Sequence, residues 1–450
     1  MCPSTADAEA VVVPAVPVPS SDSCVRSLAD AGVHTIVIAA DRTAKTFSSN
    51  SCDEAVVVPD PETDLERYAD ALLALARRPD VRTIIPCREA DIHVLAQYRE
   101  AFADHIATPW PAVETLERVT DRVRLADAAE AAGVAVPQTE PLAAATPRDE
   151  PAIVKSRYNL VTDELADGEV TGDVARPKTV EHLPPGADPD TEALRDAFGH
   201  EPIVQEFVPI DDEYMVGALY DHGEPVATFQ HEQRRAPSYT GGGGVYRRSV
   251  AEPELEAAAH DLLGELEWHG LACIEYMRHP ETGEFYLTEI NPRMWTSLAA
   301  NVQMGADFPR YYWRLATGRA DEIDSDYDTG IGCHYLKGEL TYLLSLFTDE
   351  SQVVDRPSIR RAVRDVVGSC HREPRFDILR RDDVWPFLQD LLREVDRRMP
   401  AGIDVAAHGH LLGRDEPPVH WRDATPDAPP SRHASSPTAG ERSVRNAPTD

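Results

Sequence analysis

The sequence predicts a mixed α/β and α+β fold, with a parallel α/β domain first, antiparallel strands in the middle and helices towards the end. Residues 9–106 alternate short apolar runs with helical patterns, which is typical of a parallel sheet covered by helices. From 152 to 291, most runs are β-branched and alternate apolar with polar residues. Between 335 and 412, apolar residues recur at helical spacing.

These patterns divide the chain into four segments. We predict an N-terminal α/β domain over 1–107, a central domain over 108–330 and a helical domain over 331–413. From residue 414 onward Pro, Ser, Ala and Asp dominate, so 414–450 is predicted to be a disordered tail. The glycine fingerprint GxGxxG does not follow the first strand, so a dinucleotide role is not predicted for the N-terminal domain.

The charge of the chain is strongly acidic. Its 450 residues include 78 Asp plus Glu against 44 Lys plus Arg, a formal net charge of −34, and only four of the cations are lysine. Carboxylates spread along the whole chain predict a surface adapted to concentrated salt, where a short Debye length screens their repulsion; the alternative is an acidic face for a partner. A nucleic-acid partner is not expected, because it would require a basic surface.

The cysteines and the N-terminus bear on the compartment. Seven scattered cysteines without a CxxC pair indicate reduced thiols rather than a zinc site or a disulfide framework. The N-terminal run lacks a cationic leader, and no run is long enough to span a membrane. We therefore expect a cytoplasmic protein without a membrane partner.

Two strand-like runs flank the segment PETGE and predict a β-hairpin. A three-residue loop over 281–283, with glycine last, fits a type I turn closed by a glycine bulge. The register that follows has three cross-strand pairs: His279 with Phe285, Met277 with Leu287, and Glu275 with Glu289.

This hairpin brings two carboxylates together. Cβ atoms of direct cross-strand neighbours lie about 5 Å apart. At that separation Glu275 and Glu289 would repel by roughly 3 kcal/mol at an effective dielectric near 20. A Mg²⁺ ion, which takes oxygen ligands, would remove the repulsion; Asn291 could add a neutral oxygen and Arg293 could hold an anion. The alternative, in so acidic a chain, is ordinary surface charge.

A lysine suggests a phosphate site. Lys155 lies in the apolar strand PAIVKSRY of a chain in which arginine replaces lysine almost everywhere. A lysine kept there suggests a need for a compact point charge, as phosphate neutralisation requires. The alternative is a lysine that extends to solvent from the end of the strand.

The segment VQEFVPIDDEY suggests a nucleoside site. An apolar strand runs into Gln205 and Glu206 and breaks at Pro209, and Glu213 begins the next strand. Extended backbone at such a crossover has N–H and C=O groups that can bind an adenine edge, and Glu213 could accept hydrogen bonds from ribose hydroxyls. The alternative is an ordinary acidic loop.

Four consecutive glycines, 241–244, lie between arginine pairs at 234–235 and 247–248. Such a loop can close over phosphates with its backbone N–H groups, and we predict that Arg234, Gly242 and Gly243 contact them. The alternative is a flexible linker.

In this order the parts resemble the ATP-grasp superfamily, most closely its uncharacterised carboxylate–amine ligases. The resemblance covers roughly 9–320, and EINPR with the upstream glutamate is its most specific element. It implies a pre-ATP-grasp domain over 1–107 and, over 108–330, ATP held between two α+β subdomains. Two features depart from the family: Arg122 stands where a second phosphate lysine is common, and the segment after Lys155 is bulky and acidic.

The resemblance also implies roles for individual residues. Lys155 and Arg122 match the phosphate contacts, and Arg293 matches the arginine beside the reacting group. The remaining matches are Glu206, Phe207 and Val208 at the adenine, Glu213 at the ribose, and Glu275, Glu289 and Asn291 as ligands of Mg²⁺ (or Mn²⁺).

The activity implied is ligation of a small-molecule carboxylate to an amine through an acyl phosphate, and a homodimer is compatible with it. The loop IIPCREAD, 84–91, is expected on the substrate side, where strand ends of α/β sheets bind ligands. The alternatives are a bicarbonate-activating enzyme similar to the carboxylases and carbamoyl-phosphate synthases, and an ATP-binding regulatory module without turnover.

Overall fold

The N-terminal region forms a parallel sheet. The computed structural model describes residues 9–146, 148–162, 174–175, 180–187, 189–209, 212–350, 354–398 and 418–424. Helices cover both faces of this sheet, so its strands are nearly continuous buried apolar runs. Its elements are β1 (Ala10–Pro14), α1 (Ser20–Asp30), β2 (His34–Ala39), β3 (Glu54–Val57), α2 (Leu65–Ala76), β4 (Val81–Ile84), α3 (Glu89–Gln97) and α4 (Arg99–Ala103). The strand order is β3-β2-β1-β4.

A four-stranded antiparallel sheet follows, with the order β5-β10-β6-β9. It has a small core of its own, formed with α7, which makes it a separate subdomain. The elements are α5 (Val113–Thr120), α6 (Arg122–Ala131), β5 (Thr139–Pro141), β6 (Ala152–Lys155), the pair β7 (Val161–Thr162) and β8 (Val174–Ala175), β9 (Val180–Leu183), α7 (Thr191–Phe198) and β10 (Ile203–Glu206).

A six-stranded antiparallel sheet forms the second half of the central domain, in the order β15-β14-β11-β12-β13-β16. One of its faces packs on α8 and the other on the segment around α9 and α10, which also contacts α1. Its elements are β11 (Asp212–Asp221), β12 (Glu224–Arg235), β13 (Tyr246–Val250), α8 (Pro253–Glu265), β14 (Gly270–Arg278), β15 (Phe285–Asn291), α9 (Leu298–Gln303), α10 (Phe308–Ala316) and β16 (Gly332–His334).

Helices then dominate, as predicted, although β16 lies within the segment predicted to be helical. They are α11 (Leu336–Thr348), α12 (Ile359–Arg372) and α13 (Trp385–Arg398), and short 3₁₀ turns occur at Lys45–Ser48, Leu142–Ala144 and Ala320–Glu322. Where the chain is described, no helix is long and apolar enough to cross a membrane. The six cysteines in those residues are free thiols.

The prediction of a disordered tail is wrong for 418–424. Strand β17 (Val419–His420) pairs in parallel with β3, at the edge of the N-terminal sheet. The Trp421 side chain is buried in the N-terminal core. The polar composition of the 37 residues 414–450 gave no indication of this short apolar segment. The rest of 414–450 lies outside the described residues.

Candidate active site

The hairpin of β14 and β15 places Glu275 and Glu289 side by side as direct cross-strand partners. This confirms the predicted pairing of the two carboxylates. The predicted register nearer the turn is wrong, because Met277 pairs with Tyr286 rather than with Leu287.

A β-bulge explains why the pairing of Glu275 with Glu289 was predicted correctly although the register nearer the turn was not. Thr288 is the extra residue on β15, and its Oγ1 donates to the carbonyl of Glu275 at 2.8 Å. The turn is also longer than predicted, since the Gly283 N–H donates to the carbonyl of His279 at 2.9 Å. Gly283 has the predicted left-handed conformation, with φ at +72°. The bulge thus restores the pairing of the carboxylates.

Neighbouring strands extend this face of the sheet, because paired residues of antiparallel strands point the same way. Two rows of side chains cross it: Glu289, Glu275, Met215 and His231 in one, and Glu213, Gln233 and Arg247 in the other. Most of these residues form the floor of a cavity of about 400 Å³, the first cavity. The loop that contains glycines 241–244, the glycine loop, covers this cavity. Residues 295–297 and the start of α11 form the walls of the cavity.

Glu275 has an unusual electrostatic environment. Burial and the facing charge of Glu289 raise the pKa of Glu275 to about 8. Among the described residues, its side chain has no hydrogen-bond or ion-pair partner. A carboxylate held in this way is stabilised by a bound cation.

The other two predicted metal ligands lie beside it. The side-chain amide of Asn291 donates to Glu289 at 2.7 Å. Glu289 also accepts from Arg122 at 3.1 Å. The Asn291 Oδ1 atom accepts from Arg293 at 3.2 Å, so an oxygen of each ligand is already oriented by a neighbour.

Lys155 ends β6 of the smaller sheet and interacts electrostatically with Arg122 and Glu289. Burial and the Arg122 charge lower the pKa of Lys155 to about 7, although Glu289 opposes this shift. Of the three described lysines, Lys45 and Lys337 each form a salt bridge with an aspartate, whereas Lys155 does not. An anionic ligand would restore the full charge of Lys155.

Arg293 lines the first cavity and is paired with the N-terminal domain. Its Nε donates to Glu89 at 2.6 Å, and Glu89 keeps the pKa of the buried guanidinium above its usual value despite desolvation. Glu89 belongs to the loop 84–91, which therefore reaches the site as expected.

The predicted adenine residues lie at the crossover between the two sheets. Glu206 ends β10, and six residues later β11 begins in the larger sheet. Val208 is buried, whereas the Phe207 ring is exposed and packs edge-on against His182. The Phe207 N–H already donates to the carbonyl of Pro151 at 3.2 Å.

The side chains of Gln205 and Glu213 lie in different environments. The buried Gln205 amide donates to Thr139 at 2.8 Å within the smaller sheet. Glu213 lines the first cavity, and burial raises its pKa. In the described structure, the Glu213 carboxylate has no hydrogen-bond or ion-pair partner.

The glycine loop and its arginines divide between the cavity and the surface. Gly242 and Gly243 line the cavity, as expected for a covering loop. Arg234 is not among the lining residues; it is exposed and pairs with Glu232 at 3.3 Å. The buried Arg247 lines the cavity in its place and pairs with Asp377 at 2.6 Å.

Sequence reasoning missed several lining residues, among them His231, Gln233 and Lys337. The signal for the first two was present, because alternation along β12 puts them on the face of Glu275. Burial and Arg247 lower the pKa of His231 to about 3, so this imidazole is neutral.

The donor set fits a hard cation. Glu275, Glu289 and Asn291 offer carboxylate and amide oxygens within one hairpin, and Mg²⁺ prefers oxygen ligands of this kind. The half-buried carboxylate of Glu275, which has no partner in the described part of the chain and faces Glu289, is the feature that favours a cation. These three residues could therefore hold Mg²⁺ together with a phosphate group.

Comparisons with known proteins agree with this geometry. Residues 22–108 match the family model described as the PylC-like, N-terminal domain. No curated protein matches the chain. The solved ADP complex of purK, an N5-carboxyaminoimidazole ribonucleotide synthetase, has 15% identity and a TM-score of 0.54, over 81% of this chain and 97% of that one.

Two further structures show the same likeness. The L-amino acid ligase from Bacillus licheniformis has 14% identity and a TM-score of 0.52, over 72% of this chain and 78% of that one. Pyruvate carboxylase from Rhizobium etli has 20% identity and a TM-score of 0.53, over 72% of this chain but only 30% of that one. The chain has the ATP-grasp fold. The Glu275–Glu289 pair lies on the six-stranded sheet and Lys155 on the four-stranded sheet.

Proposed function

We propose that the chain is an ATP- and magnesium-dependent ligase that joins a carboxylate to an amine and releases ADP and phosphate. The observation that carries this proposal is the half-buried carboxylate of Glu275, which lies directly opposite Glu289 and has no hydrogen-bond or ion-pair partner among the described residues. Arg293 lines the same cavity, so a cation site and an anion-binding group face one space. Two similar structures, named as a ligase and as an ADP complex, support the assignment.

ATP would lie between the two sheets. The backbone of 206–208 would bind adenine at the crossover, with Gln205 supporting the strand, and Glu213 would accept from the ribose. Lys155 and Arg122 would contact the phosphates, and Gly242 and Gly243 would cover the site. We do not assign Arg234 to the phosphates, because it is exposed outside the cavity.

The reaction would have two steps. A carboxylate oxygen attacks the terminal phosphorus of ATP, and the bond to the ADP oxygen breaks. The neutral amine then attacks the acyl carbon, and a C–N bond forms. The C–O bond breaks, phosphate leaves with its electron pair, and the nitrogen loses one proton to the leaving phosphate. Bound Mg²⁺ would neutralise charge on the transferring group. Arg293 would orient the carboxylate, and Lys155 would stabilise negative charge on the phosphate.

ADP release tests this function. The full chain is incubated with ATP and Mg²⁺ in high potassium chloride, with pooled carboxylates, pooled amines, both pools, or bicarbonate. A ligase requires both pools for full turnover. Stimulation by bicarbonate alone would instead identify an enzyme of the carboxylase kind. A shift of melting temperature with ATP but no ADP release under any condition would identify a binding module.

A further inference from the structure

A second cavity lies between the N-terminal domain and the central domain. It has a volume of about 290 Å³ and is bounded by α3, α5 and residues 157–160. None of the residues assigned above to ATP or to the metal lines it. The roles proposed so far leave this cavity without an occupant.

The two cavities share one wall. Pro292 lines the second cavity, whereas its neighbours Asn291 and Arg293 line the first. Glu89 lines the second cavity and is hydrogen-bonded to Arg293 at 2.6 Å. A ligand in the second cavity is thus separated from the reacting carboxylate by one short backbone segment and one ion pair.

The charges that line the two cavities differ. Three cations, Arg247, Arg293 and Lys337, and two carboxylates, Glu213 and Glu275, line the first cavity. The carboxylates paired with those cations, Asp377, Glu89 and Asp390, lie outside its lining. In the second cavity, carboxylates that also line it neutralise both arginines: Arg157 pairs with Asp121 at 2.7 Å, and Arg124 with Glu117 at 2.9 Å. The first cavity therefore suits an anion better than the second does.

The second cavity also has a buried acceptor and an apolar side. The Oδ1 atom of Asn159 is buried and has no hydrogen-bond partner among the described residues, so a donor from a ligand would satisfy it. Ile92, Val113, Leu116 and Leu160 line the cavity with apolar surface. A group with N–H donors and an apolar body fits both features.

We propose that the second cavity binds the nitrogen nucleophile, a primary amine with an apolar body, while the first cavity binds the carboxylate. Asn159 accepts a hydrogen bond from the bound amine, and the amine then passes Glu89, at the border of the two cavities, to reach the acyl carbon beside Arg293. This inference rests on the proposed function, because it requires an acyl phosphate beside Arg293.

Two nucleophiles of different size test the assignment. Hydroxylamine is small enough to trap an acyl phosphate without a dedicated site, whereas butylamine has an apolar body. With pooled carboxylates, ATP and Mg²⁺, hydroxamate formation and butylamine-dependent ADP release are measured for the wild type and three variants. Asn159→Leu removes the acceptor, and Val113→Phe fills the second cavity. Arg118→Met, on α5 but outside the lining of both cavities, is the control.

We expect both second-cavity variants to raise the KM for butylamine at least tenfold while hydroxamate formation stays within twofold. Arg118→Met should leave the KM for butylamine within twofold. The assignment is overturned by an unchanged KM in both second-cavity variants, by an equal increase with Arg118→Met, or by a wild type that forms hydroxamate but does not use butylamine. Absence of ADP release with every carboxylate overturns the proposed function itself. Melting curves check that each variant is folded. If Val113→Phe is unfolded, the result for Asn159→Leu alone decides the test.

Discussion

The two antiparallel sheets hold the side chains of the candidate site in different ways. In the six-stranded sheet, strand pairing alone sets Glu275 beside Glu289 and puts Glu213 on the same face. In the four-stranded sheet, Lys155 has no salt bridge, and burial lowers its pKa to about 7. The positions of the side chains in the larger sheet are therefore set before any ligand binds, whereas the charges of both Lys155 and Glu275 depend on the ligand.

Arg122 joins the two halves. Its Nη1 donates to the carbonyl of Ser156, directly after β6, and its Nη2 donates to Glu289, both at 3.1 Å. In the part of the chain that the structure describes, the buried Nε atom of Arg122 has no hydrogen-bond partner. A phosphate oxygen between the two sheets would supply that partner, which is why we assign Arg122 to the phosphates.

The largest effect should come from the larger sheet. Glu289→Gln keeps the shape of the side chain and removes the negative charge needed for the cation. We expect ADP release to fall by about 100-fold or more, which is the size of effect seen when one strong electrostatic contact to a transition state is lost. Circular dichroism should show an unchanged fold.

The control for this variant is Glu284→Gln, in the same hairpin but exposed at the turn. It should keep turnover within twofold of the wild type. Wild-type turnover in Glu289→Gln would remove the metal assignment and, with it, the functional difference between the two sheets.

A smaller loss is expected from the smaller sheet. Lys155→Met removes one charged contact to the phosphates and leaves the cation site intact, so turnover should fall by about 10- to 100-fold at saturating ATP. Steady-state kinetics with ATP as the varied substrate measure this loss. Arg118→Met, an exposed arginine on α5, serves as the control. A loss larger than that of Glu289→Gln would reverse the comparison.

The sequence predicted the strand pairing within the larger sheet better than it predicted the contacts between that sheet and the rest of the chain. Alternation and a glycine turn are local signals, and they sufficed to pair Glu275 with Glu289. The bulge at Thr288 was not predicted, because the same composition is compatible with a regular hairpin.

Long-range contacts were beyond local patterns. The pair of Glu89 with Arg293 joins residues 204 positions apart, and β17 returns from the end of the chain to the first sheet. Scarcity of lysine was a weaker guide than we expected, since Lys45 serves only a buried pair with Asp22. The site is thus predictable where one hairpin builds it, and less so where two domains meet.

The stability of the ligand-free chain should depend on pH through Glu275. Its pKa in the folded chain is about 8, above the ordinary value of 4.5, so between these values the folded state binds more protons than the unfolded state. The contribution of Glu275 to stability therefore falls as the pH rises from about 4.5 towards 8. Glu275→Gln lacks this titration and should gain on the wild type by on the order of 1–3 kcal/mol by pH 8.

Thermal or denaturant unfolding at pH 5 and pH 8, without Mg²⁺ or ATP, measures this difference. Glu281→Gln, at the exposed turn, should follow the wild type at both pH values. Parallel pH dependence of the wild type and Glu275→Gln would show that the Glu275 carboxylate is not held against Glu289. In that case strand pairing would not hold the two carboxylates together before a ligand binds.

The smallest effect concerns the loop that covers the larger sheet. Gly242 has φ at +115°, and a Cβ atom there would lie 3.1 Å from the Pro237 ring. Gly242→Ala should therefore destabilise the chain by about 1 kcal/mol and lower turnover a few-fold. A Cβ atom on Gly243 would meet no atom within 4 Å, and its φ does not require glycine. Gly243→Ala should leave the melting temperature and turnover unchanged. Equal effects of the two substitutions would show that the glycines make the loop flexible rather than hold it in one conformation over the cavity.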